Sequence, residues 1–257
     1  MAFLFNNILQ IPERALLNKK ITKAFFLKNF ELTTIEKKLL NEIESINWMA
    51  SIKHSSVNIL PVKTDSYTFE ELQVIICMLP DNSLENTGNK CAQFIQKYIP
   101  YHSVVIVQDN NHFLFNVSEK RINLADTNKR IIETDLTTPI LSKLYKNEIT
   151  NAFFAAIGFN SLDKNNLESL YKSYISAIVQ FKASGITGNF NFKGANRSSE
   201  DLLNLERIEK LEKEIITLSN QIKKETQQNQ RVSLNIEIQT KRNQINTLKT
   251  NLLSNGH

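Results

Sequence analysis

Glu71-Leu72-Gln73-Val74-Ile75-Ile76-Cys77-Met78-Leu79, closed by Pro80-Asp81-Asn82, is the stretch that decides the class of fold. From Val74 to Leu79 no residue is polar, so the alternation expected of a half-solvated strand is missing. The pattern fits a central strand covered on both faces. Such a strand needs helices and neighbouring strands around it, and the sequence on either side supplies them. Downstream, residues 86–98 read as a helix ending before Pro100, and Ser103-Val104-Val105-Ile106-Val107 is a second wholly apolar strand. Asp109-Asn110-Asn111 then turns the chain into His112-Phe113-Leu114-Phe115-Asn116-Val117, a hairpin pattern, and Arg130-Ile131-Ile132-Glu133 adds an edge strand. Upstream, Thr33-Thr34-Ile35-Glu36 is a capping box that starts a helix with Ile35, Leu39 and Ile43 on one face. A strand over 46–52 comes next, carrying the single tryptophan, Trp48. Beyond the strands come helices at 148–157, stopped by Gly158, and at 163–184. The second carries Leu167, Leu170, Tyr174, Ile178 and Phe181 on one face, with Gly185 past its end. Strands first and helices later predict an α+β fold: a mixed sheet with flanking helices.

The composition changes once. Every proline lies at or before Pro139 and every aromatic residue at or before Phe192, so the chain beyond Phe192 lacks the residues that fill a globular core. The expected division is a globular domain over 1–184, a Gly/Asn-rich linker over 185–197, and an α-helical coiled-coil tail over 198–257. Ile208, Leu211, Ile215, Leu218 and Ile222 alternate spacings of three and four, as in the seam of a coiled coil. Leu234, Ile238, Ile245, Leu248 and Leu252 form a second seam out of phase with the first, with Lys241 as its polar member. The polar stretch between them has two readings. In one the helix reverses near residues 228–230, so that Ile222 meets Ile238 and Ile215 meets Ile245. In the other a single long helix runs through a phase shift and pairs with another chain. Either way the segment is an interaction device, pairing with itself or a protein partner, because a lone seam leaves apolar surface exposed.

The chain has 257 residues, 22% of them charged and 41% hydrophobic, which excludes a disordered chain, and no stretch approaches the length of a membrane helix. Cys77 and Cys91, with no secretory signal and no metal-ligand spacing, predict reduced thiols and a cytoplasmic protein. The formal net charge is +5. Within the first thirty residues Arg14, Lys19, Lys20, Lys23 and Lys28 face one acid, Glu13, so Lys19, Lys20, Lys23 and Lys28 are candidate phosphate contacts. An ordinary solvated face accounts for them equally well.

No strong catalytic signature occurs. The nearest is Glu71-x-Gln73, which places an acid and a polar residue on one face of the central strand, as the acid-x-Lys element of metal-dependent nucleases does. The lysine is replaced by Gln73, and a Mg²⁺ ion would need a second acid from Asp65, Glu42 or Glu44. His54, His102, His112 and His257 form no ligand pair, and no phosphate-binding or nucleophile motif is present. No cofactor is expected outside the Mg²⁺ alternative.

Several stretches together resemble the bacterial family DUF4391: Lys20-Ile21-Thr22-Lys23-Ala24-Phe25, Ile46-Asn47-Trp48, Asn58-Ile59, Glu71-Leu72-Gln73-Val74, Ile99-Pro100-Tyr101, Lys224-Glu225 and Val232-Ser233-Leu234-Asn235. The resemblance implies a setting, since such proteins are often encoded beside DNA methyltransferases and helicases in restriction or anti-phage loci. It implies no activity. Together with the seams it yields the expectation of a non-catalytic accessory subunit of a DNA restriction or defence complex, touching DNA directly or through a helicase or methyltransferase. The alternatives are a divergent Mg²⁺-dependent nuclease and a nucleic-acid-binding module that uses the lysine cluster.

Overall fold

The computed structural model describes residues 2–190 and 195–254. The first elements are α1 (Ala2–Leu9), β1 (Leu16–Ile21), α2 (Lys23–Asn29), α3 (Thr34–Glu42), β2 (Ser45–Lys53) and α4 (His54–Val57). A small two-stranded ribbon, β3 (Val62–Lys63) with β4 (Thr68–Phe69), leads into β5 (Glu71–Met78), α5 (Leu84–Tyr98), β6 (His102–Gln108), β7 (His112–Asn123), β8 (Asp126–Thr137) and β9 (Leu141–Ser142). Helices α6 (Glu148–Ala156), α7 (Leu167–Thr187), α8 (Ala195–Lys224) and α9 (Gln228–Ser254) complete the chain. The chain separates into two compact units, 1–178 and 179–257.

The first unit is an open mixed sheet in the order β1-β2-β5-β6-β7-β8, with β9 on β7. Only β5 and β6 run parallel, joined by the α5 crossover; the other ladders are antiparallel. The two strands that read as wholly apolar are the central parallel pair, and both of their faces are covered. On one face Ile75, Cys77, Val105, Val107 and Leu114 pack with Cys91, Ala92, Phe94 and Ile95 of α5 and with Phe26, Leu40 and Ile43. Gly88 allows α5 this close approach: a Cβ there would lie 3.0 Å from Leu114 Cδ2. On the other face Phe5 of α1 meets Phe113 at a ring separation of 5.3 Å, and Phe153 of α6 meets Phe115 at 5.9 Å. Each such fully buried apolar side chain contributes about 1.5–3 kcal/mol relative to exposure.

The capping box forms as expected. Thr33 N–H donates to Glu36 Oε2 at 2.8 Å, and Glu36 N–H donates to Thr33 Oγ1 at 3.3 Å. Of the face expected on α3, Leu39 and Ile43 pack on the core with Leu40 beside them, while Ile35, in the first turn, is 79% exposed. Two further expectations shift. Helix α7 begins at Leu167 and runs through Gly185 to Thr187, where Gly188, with φ 73°, ends it and donates its N–H to Ser184 O. Helix α8 is under way by Ala195, ahead of the serines expected to cap it. Of the expected linker, 191–194 lie outside the described residues.

In the second unit α8 and α9 pack against each other around a short break at residues 225–227. With no glycine or proline available, Glu225 makes the turn itself: its Oε1 accepts from the N–H groups of Thr226 and Gln227, both at 2.8 Å. Lys241 Nζ reaches Glu214 Oε2 across the pair at 2.7 Å. The break lies ahead of residues 228–230, so the expected pairing of Ile222 with Ile238 and Ile215 with Ile245, which placed the reversal there, is shifted along the seam.

Candidate functional site

Glu71 opens β5 opposite Lys53. Its Oε1 accepts from Gln73 Nε2 at 3.0 Å, so the two residues share one face as their spacing requires, and they satisfy each other. At the far end of the strand Glu44 N–H donates to Met78 O. Eight residues of strand separate these ends, roughly 20 Å or more at about 3.3 Å per residue. Glu42 and Glu44 are therefore out of reach of Glu71. Asp65 is exposed in the turn between β3 and β4. Among the described residues no group of three His, Cys, Asp or Glu side chains is placed to hold a metal ion.

The lysines do not form one patch. Lys19 and Lys20 are neighbours on β1, the edge strand, so their side chains leave opposite faces. Charged edge residues of this kind discourage pairing with another sheet. Lys23 Nζ donates to Asn41 O at 2.8 Å and ties α2 to the end of α3. Lys28 lies exposed in the last turn of α2, where a cation favours the helix dipole.

The sheet also holds a buried polar centre that pattern reading missed. On β7 the alternate residues Asn116, Ser118 and Lys120 are buried on one face. Gln96 of α5 donates to Asn116 Oδ1, and Asn116 Nδ2 and Ser118 Oγ both donate to Asp135 Oδ1, at 2.9, 2.7 and 2.6 Å. Lys120 Nζ donates to the carbonyls of Ile99 and Tyr101, each at 2.8 Å, pinning the chain between α5 and β6 to β7. Burial lowers its pKa to about 7, against the opposing pull of Asp135. Where the β6–β7 ladder opens, Tyr171 of α7 fills the gap: its hydroxyl accepts from Ser118 N–H and lies within hydrogen-bond distance of the Ser103 and Ser118 carbonyls. His102, stacked on Phe69 at 4.0 Å, accepts Lys120 N–H at Nε2; burial, with Lys120 nearby, lowers its pKa to about 3. These bonds all run inside the fold, so the centre holds structure and His102 stays neutral; Gln96 Oε1 and His102 Nδ1 are buried in it without a hydrogen-bond partner among the described residues. The signal was there in the period-two run of Asn116, Ser118 and Lys120, but their partners on α5, β8 and α7 are remote in sequence. Cys77 and Cys91 are both buried, and the Cys77 sulfur together with burial pushes the Cys91 thiol up, away from reactivity. His257 lies outside the described residues.

The hairpin of the second unit changes along its length. Toward its base Ile208, Leu211, Ile245, Leu248 and Leu252 are buried. There the end of α7 joins α8 through Gln180 Nε2 donating to Asp201 Oδ2 at 2.8 Å and through Lys182 Nζ with Glu209 Oε1 at 2.7 Å. Toward the tip Ile215, Leu218, Ile222 and Leu234 are only half-buried. Ile238 is buried between them, and Ile216, Val232 and Ile236, off the seam, are exposed by 60%, 50% and 63%, as Leu203 and Leu253 are nearer the base. Two helices screen a seam from one side only, and at the tip no third described helix covers the other.

Among the described residues no helix is long and apolar enough to cross a membrane. No curated protein and no solved structure matches the chain. Residues 9–245 match the family described as a domain of unknown function, DUF4391, and the chain, with its mixed sheet and its long C-terminal helices, belongs to that family.

Proposed function

We propose that the protein is a non-catalytic accessory subunit of a bacterial DNA restriction or anti-phage defence complex, and that it docks on a protein partner through the tip of its helical hairpin. The observation that carries this reading is the incomplete seam: toward the tip Ile215, Leu218, Ile222 and Leu234 are half-buried, while toward the base the seam residues Ile208, Leu211, Ile245, Leu248 and Leu252 are buried. A helix supplied by a partner would cover them as the end of α7 covers the base. The defence setting comes from the company such genes keep, and the non-catalytic role rests on Glu71 pairing with Gln73 while Glu44 lies at the opposite end of β5.

The test is co-purification with a methyltransferase or helicase taken from a locus that encodes a member of the family, with complex mass measured by light scattering. Ile216→Glu combined with Ile236→Glu is expected to abolish assembly while leaving helix content unchanged. Assembly that survives removal of 198–257 would overturn the docking role. Mg²⁺-dependent DNA cleavage that disappears in Glu71→Ala would overturn the non-catalytic one.

A further inference from the structure

Ile76 and Met78 alternate along β5 with Ile75 and Cys77, which face α5, so they line the opposite side of the sheet. There, at the carboxyl ends of the parallel strands, lies a recess of about 220 Å³. Met49, Ile76 and Met78 form its apolar wall, and Asn18, Asn47 and Gln108 bring carboxamides to it; no charged side chain lines it. Among the described residues the side chains of Asn18 and Asn47 hydrogen-bond to nothing else. Asn18 sits at an irregularity in the β1–β2 ladder with φ 50°, a left-handed conformation that side chains other than asparagine and aspartate seldom adopt. Non-glycine residues held in this way gather at ligand sites. Directly across the ladder from Asn47 is Lys20. Opposed residues project from the same face with Cβ atoms about 5 Å apart, which puts an exposed cation at the rim.

These groups select a ligand by chemistry. A carboxamide offers a donor and an acceptor together, which matches the amino group and ring nitrogen on the edge of adenine. The two-acceptor edge of guanine calls for an arginine or lysine, and none lines the recess. Methionine thioethers make favourable contacts with aromatic rings. The volume falls below the roughly 300–1,000 Å³ typical for drug-sized ligands, and so suits a single base. The carboxyl ends of parallel strands are where open sheets bind ligands.

We propose that this recess binds an adenine base carrying a 5′-phosphate, with Asn47 and Asn18 reading the base edge and Lys20 meeting the phosphate. The site lies wholly within the first unit and is independent of assembly through the hairpin. A free nucleotide and an adenine within a single strand offer the same chemistry, and the experiment separates them. The full-length protein is titrated calorimetrically with AMP, GMP, adenosine and a short oligodeoxyadenylate. AMP or the oligonucleotide is expected to bind saturably, with adenine preferred over guanine by about tenfold or more. Asn47→Leu should weaken binding about tenfold, as should Asn18→Gly, which suits the left-handed backbone and removes only the carboxamide. Lys20→Gln should weaken AMP binding and spare adenosine. If Asn47→Leu does not fold, Asn18→Gly decides. Binding by AMP alone identifies a free nucleotide, and binding by the oligonucleotide alone identifies a base in a strand. Absence of saturable binding by both up to millimolar concentration, or binding indifferent to both asparagine substitutions, would overturn the proposal.

Discussion

His102 and Lys120 are basic residues that the fold prefers uncharged. Their values of about 3 and about 7 lie below the ordinary 6.5 and 10.5, so in each window the unfolded chain binds the extra proton. Stability is therefore full above the ordinary value and falls as pH drops through the window toward the folded value. For Lys120 the loss runs from about pH 10.5 down to 7, and for His102 from about 6.5 down to 3, each with a slope of up to about 1.4 kcal/mol per pH unit. Urea midpoints measured across pH should show Lys120→Met flattening the upper window and His102→Gln the lower. An unchanged slope in either variant would mean that the residue is not the buried base described. Glu36 works the other way. Burial raises it, but Lys97 and the Thr33 cap outweigh that and hold it at about 2, so the capping box persists into acid.

At the scale of elements, the register of α8 on α9 is the sharpest prediction. With the break at residues 225–227, Leu218→Cys paired with Ile238→Cys should cross-link faster under mild oxidation than Ile222→Cys paired with Ile238→Cys. The reverse order would restore the alignment expected from the seams alone. Those seams were legible because a three-four spacing survives in any antiparallel pair. The register was not, because it depends on Glu225 folding back onto its own turn, a bond that asparagine- and glycine-based turn rules do not anticipate. The same contrast holds in the sheet. Strands β5 and β6 declared themselves by being apolar on both faces. Strand β1 did not, because the irregularity at Asn18 breaks the alternation of Leu16-Leu17-Asn18-Lys19-Lys20, leaving only a charge cluster to read. Helix α1 has a continuous apolar start, and its two adjacent asparagines, Asn6 and Asn7, are too few to give it a period. The adenine recess was illegible for a related reason: Asn18, Asn47 and Gln108 lie on three strands, and nothing in their local sequence marks them as neighbours.

At the scale of the molecule, Trp48 is the only tryptophan and lies in the first unit, whereas the described residues of the second unit lie mostly in helices. Tryptophan fluorescence should therefore report the sheet alone, and far-ultraviolet dichroism both units. Their urea transitions are expected not to coincide, and superimposable curves would show the two units unfolding as one. Within the first unit, Phe5 of α1 packs on Phe113 and Phe115 of β7. That contact joins an early helix to a strand made much later. During synthesis α1 leaves the ribosome with its principal aromatic side chain unmatched, and waits through β1, β2 and the whole β5-α5-β6 crossover before its partners emerge. Helix α1 thus stays without its aromatic partners for most of the first unit's translation, which is the kind of apolar segment that chaperones recognise.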